Sequence, residues 1–160
     1  MTARSIPERF HKPIRLPKDH YLGLRSYFVT VCTHNRIPYF RSPRLARWTL
    51  RILRETSTES SFSLRAYCLM PNHLHILAQG TSRSSDLLAF VETFKHKTTF
   101  RFLEKTGKPL WQLSFFDHII RTAEDLSESA EYILLNPVRA KLVRRSDEYP
   151  YSGASCPPSK

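Results

Sequence analysis

Residues 70–77 read MPNHLHIL, a Pro-Asn turn signal followed by histidines at alternate positions of an apolar run. A β-strand turns successive side chains to opposite faces. His73 and His75 therefore project together, their Cα atoms roughly 6.5–7 Å apart, while Leu74 and Ile76 point into a core. The preceding stretch, FSLRAYCLM at 62–70, is strand-like as well, so Pro71 and Asn72 join the two strands by a tight turn. Two imidazoles on one face of a buried strand are costly unless partnered. Either they are satisfied structural residues, or their nitrogens converge on a shared cation about 2 Å from each.

On either side of this hairpin the pattern alternates between strand and helix. YFVTVCT at 27–33 is β-branched and aromatic, a strand; HNRIPYFRSP is a loop. Pro43 suits the first turn of a helix on which Leu45, Trp48, Thr49 and Ile52 form an inward face. Arg44, Arg47, Arg51 and Arg54 occupy a separate arc, either a solvated face or a phosphate-binding one. Ser84 or Ser85 is placed to cap a second helix with Leu87, Val91, Phe94, Thr98 and Phe102 along one side. LWQLSFFDHII at 110–120 is strand-like. Thr122 and Asp125 make a capping box for the helix AEDLSESAEYILLN, and NPVRAKLV reads as a further short helix. Strand, helix, strand, strand, helix, strand, helix is an α+β, ferredoxin-like (RRM-like) plan. Its antiparallel sheet carries helices on one face and leaves the other free to meet a ligand. Residues 1–26 read as a basic N-terminal arm, 27–152 as the domain and 153–160 as a C-terminal tail.

With 160 residues, one domain is expected. The 25 Lys and Arg against 14 acidic residues give a net charge of +11, which favours polyanionic partners, nucleic acid above all. Only 4 glycines are present, and no P-loop or GxGxxG cradle can be found. No apolar run approaches the roughly 20 residues of a membrane span, and the beginning of the sequence lacks the plan of a secretion signal. Cys32, Cys68 and Cys156 are too few for a disulfide framework, which fits a reducing cytoplasm.

In the helix near 123–136, Asp125, Ser129, Tyr132 and Asn136 form a stripe beside the apolar Leu126, Ala130 and Ile133. Tyr132 and Asn136 are four apart, hence neighbours about 6 Å along the axis. Together they offer a phenol nucleophile and an amide ligand. Equally, Tyr132 is an ordinary half-buried aromatic, and Asn136 an N-cap before Pro137 at the start of the next helix.

The stretches YCLMPNHLHILA (67–78), FFDHIIR (115–121) and EYILLNPVRAKLV (131–143), in that order, resemble the single-tyrosine HUH transposases of the IS200-like superfamily. The nearest likeness is to the REP-associated tyrosine transposase branch. YFVTVCTHNRIPYF at 27–40 also looks like that family's first strand and loop, so the resemblance runs from about residue 27 to 152. Lys141 departs from it, since the family usually has glycine there.

This resemblance implies the HUH endonuclease type of ferredoxin-like fold. It makes His73 and His75 metal ligands, Asn136 a third ligand and Tyr132 the nucleophile. Mg²⁺ or Mn²⁺ is the implied metal, with Zn²⁺ open for a purified sample. The implied reaction is attack of the tyrosine oxygen on single-stranded DNA at a hairpin element, leaving a 5′-phosphotyrosine and a free 3′-hydroxyl. Arg44, Arg47, Lys95, Lys97, His118 and Arg121 become candidates for gripping the DNA backbone. Lys12, Arg15 and Lys18 of the arm are placed to lie along a hairpin or its flank. A monomer with its site completed within one chain is favoured over a homodimer that exchanges the tyrosine helix. Three rivals remain: a non-catalytic ferredoxin-like nucleic-acid-binding protein, a nuclease that activates water, and a zinc site joining Cys68 to the histidines.

Overall fold

The computed structural model describes residues 15–155. Its strands are β1 (Ser26–Cys32), β2 (Phe62–Met70), β3 (His73–Gly80), β4 (Phe116–Ile120) and β5 (Ser152–Ala154). Its helices are α1 (Pro43–Glu59) between β1 and β2, α2 (Leu87–Thr106) between β3 and β4, and α3 (Ala123–Arg139) after β4. The strands form one sheet in the order β4-β1-β3-β2-β5, and each neighbouring pair is antiparallel. This is the expected ferredoxin-like arrangement with a short fifth strand added at the β2 edge, in the stretch where the tail was expected to begin.

Alternation along β3 divides the core in two. Leu74, Ile76 and Ala78 face a layer built with Leu50 and Leu53 of α1 and Phe90 and Phe94 of α2. Leu77 faces the other way and joins Ala66, Cys68, Met70, Ile120 and Ile133. The second cluster exists because α3 lies on that face, with Leu126, Ala130 and Tyr132 packed around Ile133. Thus α1 and α2 share one face, and α3 covers part of the face expected to be open. Its apolar residues recur at i, i+4 and i+7, and they need a surface to bury against.

Several local readings differ in detail. The buried side of α1 is Ala46, Thr49, Leu50 and Leu53, a cleaner helical stripe than one through Trp48, which is only half-buried. The α2 cap is Asp86, whose side chain accepts from Ala89 N; Ser85 is turned inward to donate to the Ser61 carbonyl at 2.7 Å. The strand expected over 110–120 is broken: Trp111 makes an isolated antiparallel bridge to Thr33, and continuous pairing begins only at Phe116, with Leu110 and Trp111 buried. Residues 15–26, read as part of an arm, include a short 3₁₀ turn (Lys18–Tyr21) that buries Tyr21.

Thr122 caps α3 as expected, accepting from Asp125 N at 3.1 Å. The helix then runs through Pro137 rather than restarting after Asn136. Proline lacks the N–H that would bond the carbonyl four residues back, a cost of about 3 kcal/mol in a helix interior. Here it falls in the last turn, is buried, and its carbonyl accepts from Leu142 N at 3.0 Å while Val138 O accepts from Lys141 N. Those two bonds form a Schellman motif, which calls for a left-handed residue between them. Lys141 takes that conformation with φ 58°.

A lysine in the left-handed region is strained by roughly 1–2 kcal/mol relative to its preferred backbone. Lys141→Gly is therefore expected to stabilise the chain by about 1 kcal/mol. The check is a higher urea midpoint at an unchanged m-value; a lower midpoint contradicts the strain assignment.

Candidate functional site

His73 and His75 share the α3 side of β3, opposite Leu74 and Ile76. Their ring centroids are 4.7 Å apart and their planes lie at 75°. His75 Nδ1 is 2.9 Å from the Thr30 hydroxyl, which the sheet register brings directly opposite on β1. His73 Nδ1 is 2.8 Å from Asn72 Oδ1 in the β2–β3 turn. An Nδ1 proton donated to an oxygen leaves the lone pair on Nε2. Asn72 Oδ1 can only accept, which fixes this tautomer for His73; in His75 too, Nδ1 is the engaged nitrogen and Nε2 the one left for a ligand.

Burial keeps both imidazoles neutral. It lowers His73 to about 4, with the charge of Arg36 adding to the effect. It lowers His75 to about 3, helped by His73, Arg139 and Arg36. Neutral imidazole is the form that binds a metal ion.

Tyr132 reaches this pair from α3. Its ring lies 6.1 Å from that of His75 and 5.9 Å from that of Phe28, and Phe28 meets His75 at 5.4 Å. The three rings close a triangle across the interface between helix and sheet. The Arg139 guanidinium covers the Tyr132 ring at 4.1 Å and donates to the Tyr132 carbonyl at 2.5 Å. Among the described residues the Tyr132 hydroxyl has no hydrogen-bond partner, nor does the side-chain amide of half-buried Asn136, one turn further along α3.

The donor set suits a hard or borderline divalent ion: two neutral imidazoles with their Nδ1 atoms engaged, and an unpartnered amide oxygen available on the facing helix. Among the described residues no three His, Cys, Asp or Glu side chains gather as a metal site, so a third donor from these residues would be of another type. Cys68 is the cross-strand partner of His75. Its thiol, however, is pushed up to about 12 by burial, the opposite of what a zinc thiolate requires.

The basic residues disperse. Arg44 and Arg47 are exposed on α1, in the layer behind the histidines; Lys18 and Arg121 are exposed, and His118 is exposed on β4 opposite Phe28. Arg15 pairs with Asp117 and lies over the Phe115 ring. Lys95 donates to the carbonyls of Gln112 and Ser114 at 2.7 and 3.3 Å, and burial lowers it to about 8. Lys97 is held by Glu59 at 2.5 Å. Lys12 lies outside the described residues. Phe28, Thr30, Asn72 and Arg139 were not singled out in the sequence. Asn72 stands inside MPNH and Arg139 two turns from Tyr132, whereas Thr30 and Phe28 become visible only once the β1–β3 register is known.

The family model described as Transposase IS200 like matches residues 23–135. The chain belongs to the IS200-like transposase family, and with that to a class of enzymes. Its relatives include a Haemophilus influenzae protein assigned to the REP-associated tyrosine transposases, 25% identical over 79% of this chain and 77% of that one. The REP-associated tyrosine transposase of Escherichia coli K12 is 24% identical over 84% of this chain and 79% of its own. Among solved structures, a REP-associated tyrosine transposase bound to a REP hairpin superposes with a TM-score of 0.72 at 22% identity, covering 89% of this chain and 82% of that one. A Deinococcus radiodurans R1 protein assigned as a transposase gives 0.53 at 21% identity, covering 71% and 91%. The shared fold is that of the ferredoxin-like sheet above. No helix among the described residues of this transposase-family chain is long and apolar enough to cross a membrane.

The two depressed histidines set a pH dependence. Between their ordinary value of 6.5 and about 4, the unfolded chain takes up protons that the folded chain refuses. Stability therefore falls as pH drops through that window, by at most about 1.4 kcal/mol per pH unit for each histidine. Urea denaturation in the presence of a chelator, at neutral pH and at about pH 5, is expected to show this loss. The His73→Gln/His75→Gln variant is expected to show a smaller one, and an equal loss in both proteins contradicts the assignment.

Proposed function

We propose that the chain is a metal-dependent transposase or nickase that cleaves and rejoins single-stranded DNA at hairpin elements, with Tyr132 as nucleophile. The observation that carries this reading is the meeting of Tyr132 with His75 across the α3–sheet interface, ring to ring at 6.1 Å, beside a phenol hydroxyl unpartnered among the described residues. A relative of the same fold bound to a REP hairpin supports hairpin DNA as the partner, and the net charge of +11 suits a polyanion.

In the proposed step the Tyr132 oxygen attacks phosphorus in line. A bond from phosphorus to the tyrosine oxygen forms as the bond to the 3′-oxygen breaks, and the phenol proton ends on that leaving oxygen. The products are a 5′-phosphotyrosine and a free 3′-hydroxyl. Because the new link is itself a phosphodiester, attack by a 3′-hydroxyl reverses the step without ATP. A free phenol, with its reference pKa near 10, is only about a thousandth ionised at neutral pH. Help is therefore needed at phosphorus. His73 and His75, with the Asn136 amide, would hold Mg²⁺ or Mn²⁺, which when bound draws charge from a non-bridging oxygen and orients the phosphate. Arg139, stacked on the ring and bonded to the Tyr132 carbonyl, restricts the orientation of Tyr132. Histidine and tyrosine meet within one chain, so a monomer suffices for the site.

Labelled single-stranded hairpin DNA with Mn²⁺ is expected to give a protein–DNA adduct that survives denaturing gels. Tyr132→Phe should lower adduct yield by about a thousandfold or more while hairpin binding stays within about twofold. His73→Ala/His75→Ala, or chelation of the metal, should likewise remove the adduct. Cleavage that persists in the Phe variant would mean that water is the nucleophile, and the tyrosine mechanism would fall.

A further inference from the structure

On the layer behind the histidines, the N-terminal half of α1 and the C-terminal end of α2 leave a cavity of about 760 Å³. Its wall holds Arg44, Arg51, Arg101, Lys105 and Lys108, and no carboxylate. Arg51 pairs loosely with Glu55 at 3.9 Å, and the other four have no ion pair among the described residues. Helix electrostatics explain only part of this. Lys105 complements the C-terminus of α2, but Arg44 stands in the first turn of α1, where no acidic residue occurs and where the macrodipole disfavours a cation. Five like charges on a concave wall create a strong field for an anion.

The same cavity holds Trp48. Its half-buried ring has no aromatic or hydrogen-bond partner among the described residues. Trp111, by contrast, is 5% exposed and donates its indole N–H to Thr98 at 2.8 Å. Tyr39 and Phe102, packed edge to face at 4.7 Å, complete an aromatic lining. A free indole face among guanidinium and ammonium groups matches a nucleobase and its phosphates. The volume lies within the usual range of about 300–1,000 Å³ for small-molecule sites.

The cavity opens at the same end of the sheet as the histidines. Phe40, next to Tyr39, donates its N–H to the Pro71 carbonyl, and Thr33 donates to that of Asn72, each at 3.0 Å. The cavity and His73 are thus separated by the loop 34–42, which carries Arg36 and Arg41 on its exposed surface.

We propose that this cavity binds a nucleotide of the single-stranded DNA flanking the cleaved phosphodiester, its base stacked on Trp48 and its phosphates held by Arg44, Arg101 and Lys105. The identity of the strand rests on the proposed function; the base-plus-phosphate chemistry of the cavity does not. The strand reaches the cavity by passing round the loop 34–42.

The test uses the full chain carrying Tyr132→Phe, so that nothing is cleaved. It compares a DNA stem-loop with the same stem-loop extended by thymidines on either side. An extension on at least one side is expected to tighten binding by roughly tenfold. Arg101→Ala/Lys105→Ala and Trp48→Ala should each abolish that gain and leave stem-loop affinity unchanged, while Trp48→Phe keeps much of it. Oligothymidine alone should quench tryptophan fluorescence in the otherwise unchanged chain and not in Trp48→Phe, since the remaining indole is buried. Equal affinity with and without extensions, or a gain that survives the double substitution, overturns the proposal. So does a tenfold preference for RNA of the same length, or displacement of the oligonucleotide by polyglutamate at equal charge. Quenching without any covalent adduct in the parent chain leaves the cavity standing and strikes only the tyrosine chemistry. An adduct without any gain from extensions strikes only the cavity.

Discussion

Ile133 is the pin on which the site turns. It is fully buried between α3 and the sheet, among Ala66, Cys68, Met70 and Leu77, and it fixes the rotation of the helix that carries Tyr132. Of the 17 residues in α3 only Ile133 and Pro137 are buried, so the docking rests on a small patch. Burying an isoleucine contributes about 1.5–3 kcal/mol, and the Thr122 cap about 1. The ring contacts of Tyr132 with Phe28 and His75 add about 0.5–1.5 kcal/mol for each pair. The histidines are held differently. β3 is laddered on both sides, by β1 and by β2, and its inward residues Leu74 and Ile76 are at most 1% exposed. One half of the site therefore belongs to the central strand of the sheet, paired on both sides, and the other half to a helix anchored by few contacts.

Two opposed electrostatic demands meet at β3. The chain as a whole is strongly basic, yet the proposed metal site requires imidazoles that offer lone pairs. Burial meets the second demand, being the largest cause of the depressed pKa of both histidines. The basic surroundings push the same way, because Arg36 and Arg139 disfavour a second positive charge nearby. Cys68, in register with His75, is kept protonated by the same loss of solvent. Low polarity thus sorts the potential ligands: it frees imidazole nitrogens and silences the thiol.

How much of this was legible in the sequence depends on whether a feature is local. The alternation of His73, Leu74, His75 and Ile76 is a property of neighbouring residues, and it places the side chains on their faces without knowledge of the rest of the fold. The α2 stripe from Leu87 to Phe102 is legible for the same reason. The inward face of α1 is displaced from the one expected because Trp48 weighs heavily in a hydrophobic count, whereas small and medium residues at 46, 49, 50 and 53 fit against the sheet. Asn136-Pro137 reads as a helix boundary because the local preferences are against continuation. A Schellman closure and burial of the proline outweigh them, and neither depends on local preference alone. Thr30 as the partner of His75 is a matter of register between strands 45 positions apart, and no local pattern specifies it. The placement of α3 on the histidine face likewise follows from which surface α1 and α2 leave uncovered.

The alternation that makes β3 legible also makes it unforgiving. Its eight residues separate an apolar layer from a polar site, and a slip of one position in pairing would exchange them. Two polar rings on a central strand are tolerated because the opposite side of the same strand is so well packed. A one-residue slip would turn Leu74 and Ile76 away from the layer of α1 and α2, while Thr30 and Asn72 would lose the imidazoles they hold. The hydrophobic face thereby selects the geometry of the polar one. The stability that fixes the register and the orientation that suits the histidines for a ligand thus arise from the two faces of one strand.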